Sequence, residues 1–216
     1  MLAMLIMLGV MTAACGPDAP VEPAPASSAL IAPATLSAAD STDAGLGHLV
    51  GTAPPARGEV GSIILLDPDA EIDVPLPDDT PVMDQYGRMF NPGFLLVRQG
   101  QTVTFTNSEE DLHTVHVKDS AGESLFNIAT LMESRYDFTF DREDSYDVVC
   151  NTHTEMQANI LVVSSPYAVL AERDGSFTVP DVVPGAYTVT VLHGQTRTER
   201  EVEIVTGRNE LDLTGR

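Results

Sequence analysis

The strongest constraint on the fold is a series of short segments in which apolar and polar residues alternate. The alternation is clearest in residues 102–106 and 136–140, where every second side chain is apolar. A period of two places these apolar side chains on one face of a β-strand, which is typical of antiparallel sheets with one buried face. No long segment keeps a helical period, and residues 123–132 come nearest to one. We therefore predict an all-β protein built as a sandwich of antiparallel sheets.

Further segments are enriched in β-branched and aromatic residues and are bounded by turn residues, which is typical of strands. They are residues 63–66, 94–98, 114–118, 146–150, 159–163, 176–179, 187–192 and 201–205. The chain has 16 Gly, 15 Pro and no Trp, a composition that fits many short strands joined by loops. Together these features favour β-structure from residue 46 onward.

The start of the chain predicts export from the cytoplasm. Residues 1–14 carry no charge and end in small residues directly before Cys15. Such an apolar run is typical of a secretory signal, and residues 11–16 resemble a bacterial lipoprotein cleavage site. We predict lipidation of Cys15 and a periplasmic or cell-envelope protein anchored to a bacterial membrane; a plain signal peptide is the alternative. Residues 16–45 are rich in Pro, Ala and Ser, which predicts a disordered linker.

The chain is strongly acidic, with 32 Asp and Glu against 11 Lys and Arg and a net charge of −21. A surface with this charge repels the phosphate backbone, which excludes nucleic acid as a default partner. It instead attracts a protein with a basic docking face, and added salt weakens that attraction. Solubility in a salty habitat is the alternative explanation of the charge.

Cys150, His153 and Met156 form a C-x-x-H-x-x-M loop directly after a predicted strand. A loop with this spacing can close around one ion, and a fourth ligand then comes from elsewhere in the chain. His113 is well placed, because it follows the predicted strand 103–107. Two imidazoles, a thiolate and a weak axial thioether are the ligand set of type 1 copper. The alternative is that Cys150 is an inert buried thiol and Met156 a core residue.

Further motifs accompany this loop in a fixed order. Residues 90–107 follow the pattern F-x-P-x-x-L-x-V-x-x-G-x-x-V-x-F-x-N, and residues 112–117 read Leu-His-Thr-Val-His-Val. Tyr146 lies four residues before Cys150. From about residue 91 to residue 163 the chain thus resembles the cupredoxins, and within them the amicyanin and plastocyanin branch.

The resemblance implies a Greek-key β-sandwich with one type 1 copper ion held by His113, Cys150, His153 and Met156. It also implies that Asn107 braces the ligand loop and hydrogen-bonds near the thiolate. His153 is then expected to be the ligand nearest the surface, within a small apolar patch.

Several residues around the expected ligands depart from the family pattern. Leu112 and Thr114 stand where the family usually has Pro and Asn, and Ser145 stands where it has Gly. Gln157 and Ala158 follow Met156 where a basic residue and Gly are common. Thr114 is therefore expected to lie directly behind the ligands. We expect these departures to affect redox tuning and partner choice, because groups behind the ligands tune a bound metal.

The resemblance implies one-electron transfer between redox partners, one of them a redox protein with a basic docking face. No small-molecule substrate is evident. A periplasmic copper carrier or storage protein without a redox role is the alternative. An enzyme is not expected, because five His are too few for the multi-copper oxidases and no second Cys lies near Cys150 for a dinuclear copper centre.

Residues 174–191 resemble the D-G-x-F-x-x-x-x-V-P-P-G-x-Y-x-V pattern of carboxypeptidase regulatory-like (transthyretin-like) sandwiches, with Val183 at the first Pro. This implies a small β-sandwich at residues 166–216, after a cupredoxin domain at 46–165. The C-terminal segment is short for an independent sandwich, so residues 46–75 are open between the two domains. His193 is isolated in this segment, and no catalytic constellation accompanies it.

Overall fold

The computed structural model describes residues 45–58 and 60–215, which form sixteen β-strands and no helix. The all-β prediction is confirmed. Accordingly, this part of the chain contains no helical segment able to span a membrane. The predicted signal with Cys15, and the predicted linker except its last residue, lie outside the described residues.

The strands are numbered in chain order. They are β1 Gly47–Thr52, β2 Ile63–Pro68, β3 Val82–Tyr86, β4 Met89–Asn91, β5 Phe94–Arg98, β6 Thr102–Asn107, β7 His113–Lys118, β8 Ser124–Thr130, β9 Arg135–Thr139, β10 Asp144–Val149, β11 Gln157–Val163, β12 Tyr167–Leu170, β13 Ser176–Val182, β14 Gly185–His193, β15 Thr196–Ile204 and β16 Gly207–Asp212.

Strands β3 to β11 form one sandwich of two sheets. Their orders are β5-β11-β10-β7-β8 and β4-β3-β6-β9. The alternating strands turn their apolar side chains inward, and Val103, Phe105, Val115 and Val148 are fully buried in one core between the sheets. The sequence motifs that predict a copper site all lie in this sandwich.

Most strand pairs are antiparallel, as predicted, but three are parallel: β1–β16, β3–β6 and β5–β11. The pair β3–β6 shows the reason. β5 lies between these strands in sequence but belongs to the opposite sheet, so the chain crosses the sandwich and returns beside β3 in the same direction. Local alternation identifies strands and carries no information about such crossings.

The remaining strands form a second sandwich whose sheets have the orders β13-β1-β16 and β12-β2-β14-β15. β1 and β2 precede the first sandwich in sequence, yet each is an inner strand of one of these sheets. Strand pairing therefore groups residues 47–52 and 63–68 with the C-terminal strands. The five strands after residue 166 alone lack the single inner strand of the first sheet and one of the two inner strands of the second.

β2 also connects the two sandwiches, which belong to one compact unit of the chain. Ile64 and Leu66 face the core of the second sandwich, whereas Ile63 and Leu65 pack with Val163 of β11. A run of consecutive apolar residues is typical of a strand that is buried on both faces. The interface covers the outer face of β5 and β11.

Residues 123–132 are the nearest approach to a helical pattern, yet residues 124–130 of this segment form strand β8. β8 pairs with β7 in antiparallel register, and Thr130 lies opposite His113. Pairing with a neighbouring strand outweighs a weak local preference, because strand stability depends mainly on cross-strand packing.

Candidate metal centre

The predicted ligands lie at one end of the first sandwich. His113 begins β7, and Cys150 directly follows β10, which runs antiparallel to β7. The loop from Cys150 to Met156 is closed by two backbone hydrogen bonds. Cys150 N–H donates to the carbonyl of Met156 (3.1 Å), and Met156 N–H donates to the carbonyl of His153 (3.0 Å). This tight loop returns the chain into β11 and turns His153 toward His113.

Three ligand atoms converge at this end. His113 Nδ1 lies 3.0 Å from His153 Nδ1, and Cys150 Sγ lies 3.8 Å and 4.0 Å from these two nitrogens. His113 and Cys150 are buried, whereas His153 is half-buried. Met156 is also buried and belongs to the same apolar core cluster as Cys150. The structure thus brings three predicted ligands together and places the fourth residue in the core beside Cys150.

His116 does not join this cluster. Its Nδ1 lies 3.3 Å from Asn151 Oδ1 and its Nε2 lies 3.0 Å from Ser124 Oγ. His116 lies three residues after His113 on β7, so the two side chains leave the strand on opposite faces. The face that carries His116 also carries Thr114.

A carboxylate orients the His113 ring. His113 Nε2–H donates to Glu109 Oε1 at 3.1 Å, and this is the only polarity the pair allows because a carboxylate accepts and does not donate. The proton on Nε2 leaves the lone pair of Nδ1 directed at Cys150 and His153. Such a bond to the second ring nitrogen is typical of metal-binding histidines. Sequence reasoning missed Glu109; an acidic residue four positions before His113 was the available signal.

The Cys150 sulfur receives several hydrogen bonds. The backbone N–H groups of Thr114 and His153 each lie 3.4 Å from Sγ, and the Thr114 hydroxyl lies 3.7 Å from it. Burial by itself raises the pKa of the Cys150 thiol, but these donors outweigh burial and lower the pKa to about 6. Cys150 is therefore mostly a thiolate at neutral pH.

Asn107 braces the loop that carries Glu109. Its amide nitrogen donates to the carbonyls of Asp111 and Thr130, each at 2.9 Å, and its Oδ1 accepts from Glu109 N–H at 2.9 Å. Asn107 thus fixes the chain between β6 and His113. The hydrogen bonds of Asn107 are made to the backbone, whereas the hydrogen bonds to the Cys150 sulfur come from Thr114 and His153.

The metal-free protein is expected to show a pH-dependent stability that originates at Cys150. The folded-state pKa of about 6 lies below the ordinary pKa of 9.0, so between these values the unfolded chain binds a proton that the folded chain does not. The free energy of unfolding should therefore rise from pH 6 to pH 9, and this contribution is lost as the pH falls to 6. Urea unfolding across this interval measures the slope, and ultraviolet thiolate absorbance measures the pKa. Cys150→Ala should remove the slope, and a thiol half-ionised near pH 9 would contradict the expectation.

Comparison with known proteins gives structural similarities alone. No protein-family model and no curated protein matches the chain. The chain is similar to a tryptophan-to-tyrosine variant of reduced amicyanin at 28% identity and a TM-score of 0.37, over 41% of this chain and 86% of that one. A reduced proline-to-phenylalanine variant of amicyanin matches at 25% identity and a TM-score of 0.37, over 46% and 99% of the two chains. A purple cupredoxin from Nitrosopumilus maritimus matches at 22% identity and a TM-score of 0.35, over 38% and 99%.

Strands β3 to β11 enclose one core between two sheets, and the His-Cys-His cluster lies at one end of that core. This arrangement agrees with the cupredoxin-like fold predicted from the sequence. The second sandwich adjoins it through β2. The resemblance of residues 174–191 to carboxypeptidase regulatory-like sandwiches stays a prediction.

The chemistry of the cupredoxin-like site suits copper. Donor separations of 3.0–4.0 Å allow three atoms to reach one ion at the bond lengths of about 2.0–2.3 Å that first-row metals make with nitrogen and sulfur. A thiolate with two imidazoles is a soft donor set, which disfavours Mg²⁺ and Ca²⁺. His113, Cys150 and His153 therefore fit a copper ion, and Met156 is buried in the same core cluster as Cys150.

Proposed function

We propose that this protein binds one copper ion at His113, Cys150, His153 and Met156 and transfers single electrons between redox partners. The observation that carries the proposal is the convergence of a buried thiolate and two imidazole nitrogens within 4.0 Å of one another. A bound copper ion supplies the change between Cu(I) and Cu(II). The sequence resemblance to cupredoxins supports the same function.

The protein residues hold the donor atoms in place before any ion binds. Glu109 orients His113, backbone hydrogen bonds close the Cys150–Met156 loop, and Thr114 holds the sulfur. Because the pKa of Cys150 is already about 6, little proton release accompanies metal binding at neutral pH. A preorganised ligand set needs little rearrangement when the charge of the ion changes. This property favours electron transfer over substrate chemistry.

The surface near the ligands supports a protein partner. Leu112 directly precedes His113, and Leu131 and Met132 follow Thr130, which lies opposite His113 in the β7–β8 ladder. These three apolar side chains are 47–66% exposed. Exposed acidic residues lie in the loops before His113, after β8 and around His153; they are Glu110, Asp111, Glu133 and Glu155. Exposed apolar residues among acidic ones fit a partner whose apolar contact area is bordered by basic residues. His153, the half-buried ligand, is the proposed point of electron exchange.

A charged redox probe should reveal the steering that this partner would use. We expect a cationic metal complex to exchange electrons faster than an anionic complex of similar potential at low salt. The difference should shrink as the salt concentration rises, because salt screens the acidic surface. Stopped-flow kinetics measures both rates. Equal rates at low salt would contradict a basic-faced partner.

The proposed location is the bacterial cell envelope. Cys15 would carry the lipid and residues 16–45 would act as a tether, which gives the copper site access to partners within reach of the membrane. The uncharged apolar run of residues 1–14 and the resemblance of residues 11–16 to a lipoprotein cleavage site support this location.

Adding Cu(II) to the purified mature protein tests the proposed function. We expect an intense visible thiolate-to-copper band, an EPR spectrum with narrow hyperfine splitting and a reversible reduction potential. A copper carrier without a redox role would bind Cu(I) and show neither the band nor a reversible potential. That second outcome would overturn electron transfer while leaving copper binding intact.

Removing the charge of Glu109 should weaken the site without removing a ligand. Glu109→Gln is expected to lower Cu(II) affinity about 10- to 100-fold, because the carboxylate makes the His113 ring more basic. The reduction potential should rise, since the lost negative charge stabilises Cu(II) more than Cu(I). Glu110→Gln is the matched control: it removes the same charge from an exposed neighbour. Competition titrations and voltammetry make the comparison, and equal effects of the two variants would contradict a specific role of the hydrogen bond.

A further inference from the structure

A buried glutamine lies in the sheet that faces the ligand strand β7. Gln85 on β3 is fully buried and faces the core of the cupredoxin-like sandwich, on the same side of the strand as Met83. A buried amide costs free energy unless both of its ends are hydrogen-bonded. Both ends of Gln85 are bonded: Nε2 donates to the carbonyl of Thr114 at 3.1 Å, and Oε1 accepts from the Thr130 hydroxyl.

These two bonds connect the opposite sheets of the sandwich at its copper end. Gln85 lies on β3, whereas Thr114 and Thr130 lie on β7 and β8. Thr130 is opposite His113 in the β7–β8 ladder, and its carbonyl also accepts from Asn107, which pairs with Gln85 in the β3–β6 ladder. An apolar residue at position 85 would fill the same space, so filling the core does not by itself require an amide here.

Thr114 is the residue through which Gln85 reaches the sulfur. The N–H and hydroxyl of Thr114 both point at Cys150 Sγ, and its hydroxyl also accepts from Asn151 N–H at 2.6 Å. Holding the carbonyl of Thr114 restricts the backbone rotation of the residue that supplies these donors. A fixed carbonyl therefore keeps the N–H and the hydroxyl aimed at Sγ.

We propose that Gln85 is a positioning residue for the copper-binding thiolate, acting through Thr114. This inference rests on the proposed function, because the charge on the sulfur matters most when copper is bound. Hydrogen bonds to the sulfur withdraw electron density from it and tune the potential of such sites. Weakening them leaves the thiolate a stronger donor, which stabilises Cu(II). Loss of Gln85 should thus lower the reduction potential and move the thiolate-to-copper band to longer wavelength.

Gln85→Met tests the proposal, because methionine keeps a similar length and removes both hydrogen bonds. The matched control is Gln101→Met in the same sandwich. Gln101 is also buried, donates to the carbonyl of Asp79 at 3.2 Å and accepts from Arg98 N–H at 3.1 Å, and its contacts do not involve the ligand strands. Both variants should lose stability. We expect the shifts in potential and absorption from Gln85→Met alone.

Amide hydrogen exchange of Thr114 in the metal-free protein supplies a readout that does not need copper. Losing one hydrogen bond should speed this exchange about 2- to 10-fold in Gln85→Met, which is the factor for a net bond of about 0.5–1.5 kcal/mol. Gln101→Met should leave the exchange unchanged. If Gln85→Met fails to fold, Thr130→Val removes one partner of Gln85 at constant shape and should give smaller shifts in the same directions.

The outcomes separate the two proposals. If the wild-type protein shows the band and Gln85→Met changes neither the band, the potential nor the Thr114 exchange, Gln85 is only structural and the inference is overturned. If the wild-type protein shows no thiolate-to-copper band, the proposed function fails. The exchange of Thr114 then still decides whether Gln85 positions it.

Discussion

Cys150→Ser should abolish the intense visible band of the copper-loaded protein and the narrow hyperfine splitting of its EPR spectrum. Both properties require a thiolate bonded to copper, and a serine hydroxyl stays protonated at neutral pH and is a hard donor. The loss in copper affinity should exceed the roughly 100-fold that follows from changing a group behind a ligand, because a ligand itself is removed. Optical titration with Cu(II) and EPR measure these effects.

The control is Thr152→Ser, an exposed position in the same loop. It leaves the sulfur and both imidazoles in place, so the band should persist at the wild-type wavelength. A visible band that survives in Cys150→Ser would show that the sulfur is not a ligand. A band lost in Thr152→Ser as well would show that the spectrum also depends on the loop conformation, so that Cys150→Ser alone would not identify the sulfur as a ligand.

Ile64→Ala is expected to lower the free energy of unfolding by about 2–5 kcal/mol, the usual cost of truncating a fully buried Ile. Ile64 lies on β2, which is an inner strand of the second sandwich, and its side chain is fully buried in that core. The copper spectrum should not change, because no ligand lies on β2. Urea unfolding followed by circular dichroism measures the loss.

Val205→Ala, at an exposed position of the same sandwich, is the matched control and should cost much less. A loss for Ile64→Ala as small as that for Val205→Ala would contradict the placement of β2 inside the second sandwich. A large change in the copper spectrum would instead show that the interface of Ile63 and Leu65 with Val163 transmits strain to the site.

The all-β fold and the cupredoxin-like part were accessible from the sequence because each depends on local pattern. Alternation in residues 102–106 and 136–140 identifies strands with one buried face, and β6 and β9 are those strands. The spacing C-x-x-H-x-x-M also constrains geometry, since seven residues of one loop cannot separate far. The weak helical pattern of residues 123–132 was misleading, because pairing with β7 makes residues 124–130 strand β8.

The partners of each strand and the polar residues behind the ligands were not accessible in this way. Glu109 and Gln85 look like ordinary polar residues in the sequence, because their roles arise from contacts with His113, Thr114 and Thr130. These contacts join strands that are distant along the chain. No local pattern specifies which buried carbonyl or ring nitrogen an amide or carboxylate will meet.

The sequence by itself determined that this chain forms β-strands. It also determined the order and spacing in which the predicted copper ligands occur: His113, Cys150, His153 and Met156. Periodicity and short spacings are sufficient for this, since both act over a few residues. Only the tertiary structure decided that β1 and β2 complete the C-terminal sandwich and that His113 meets Cys150 and His153. Strand pairing and burial bring together residues far apart in the chain, and the packing of the whole molecule selects among the possible pairings.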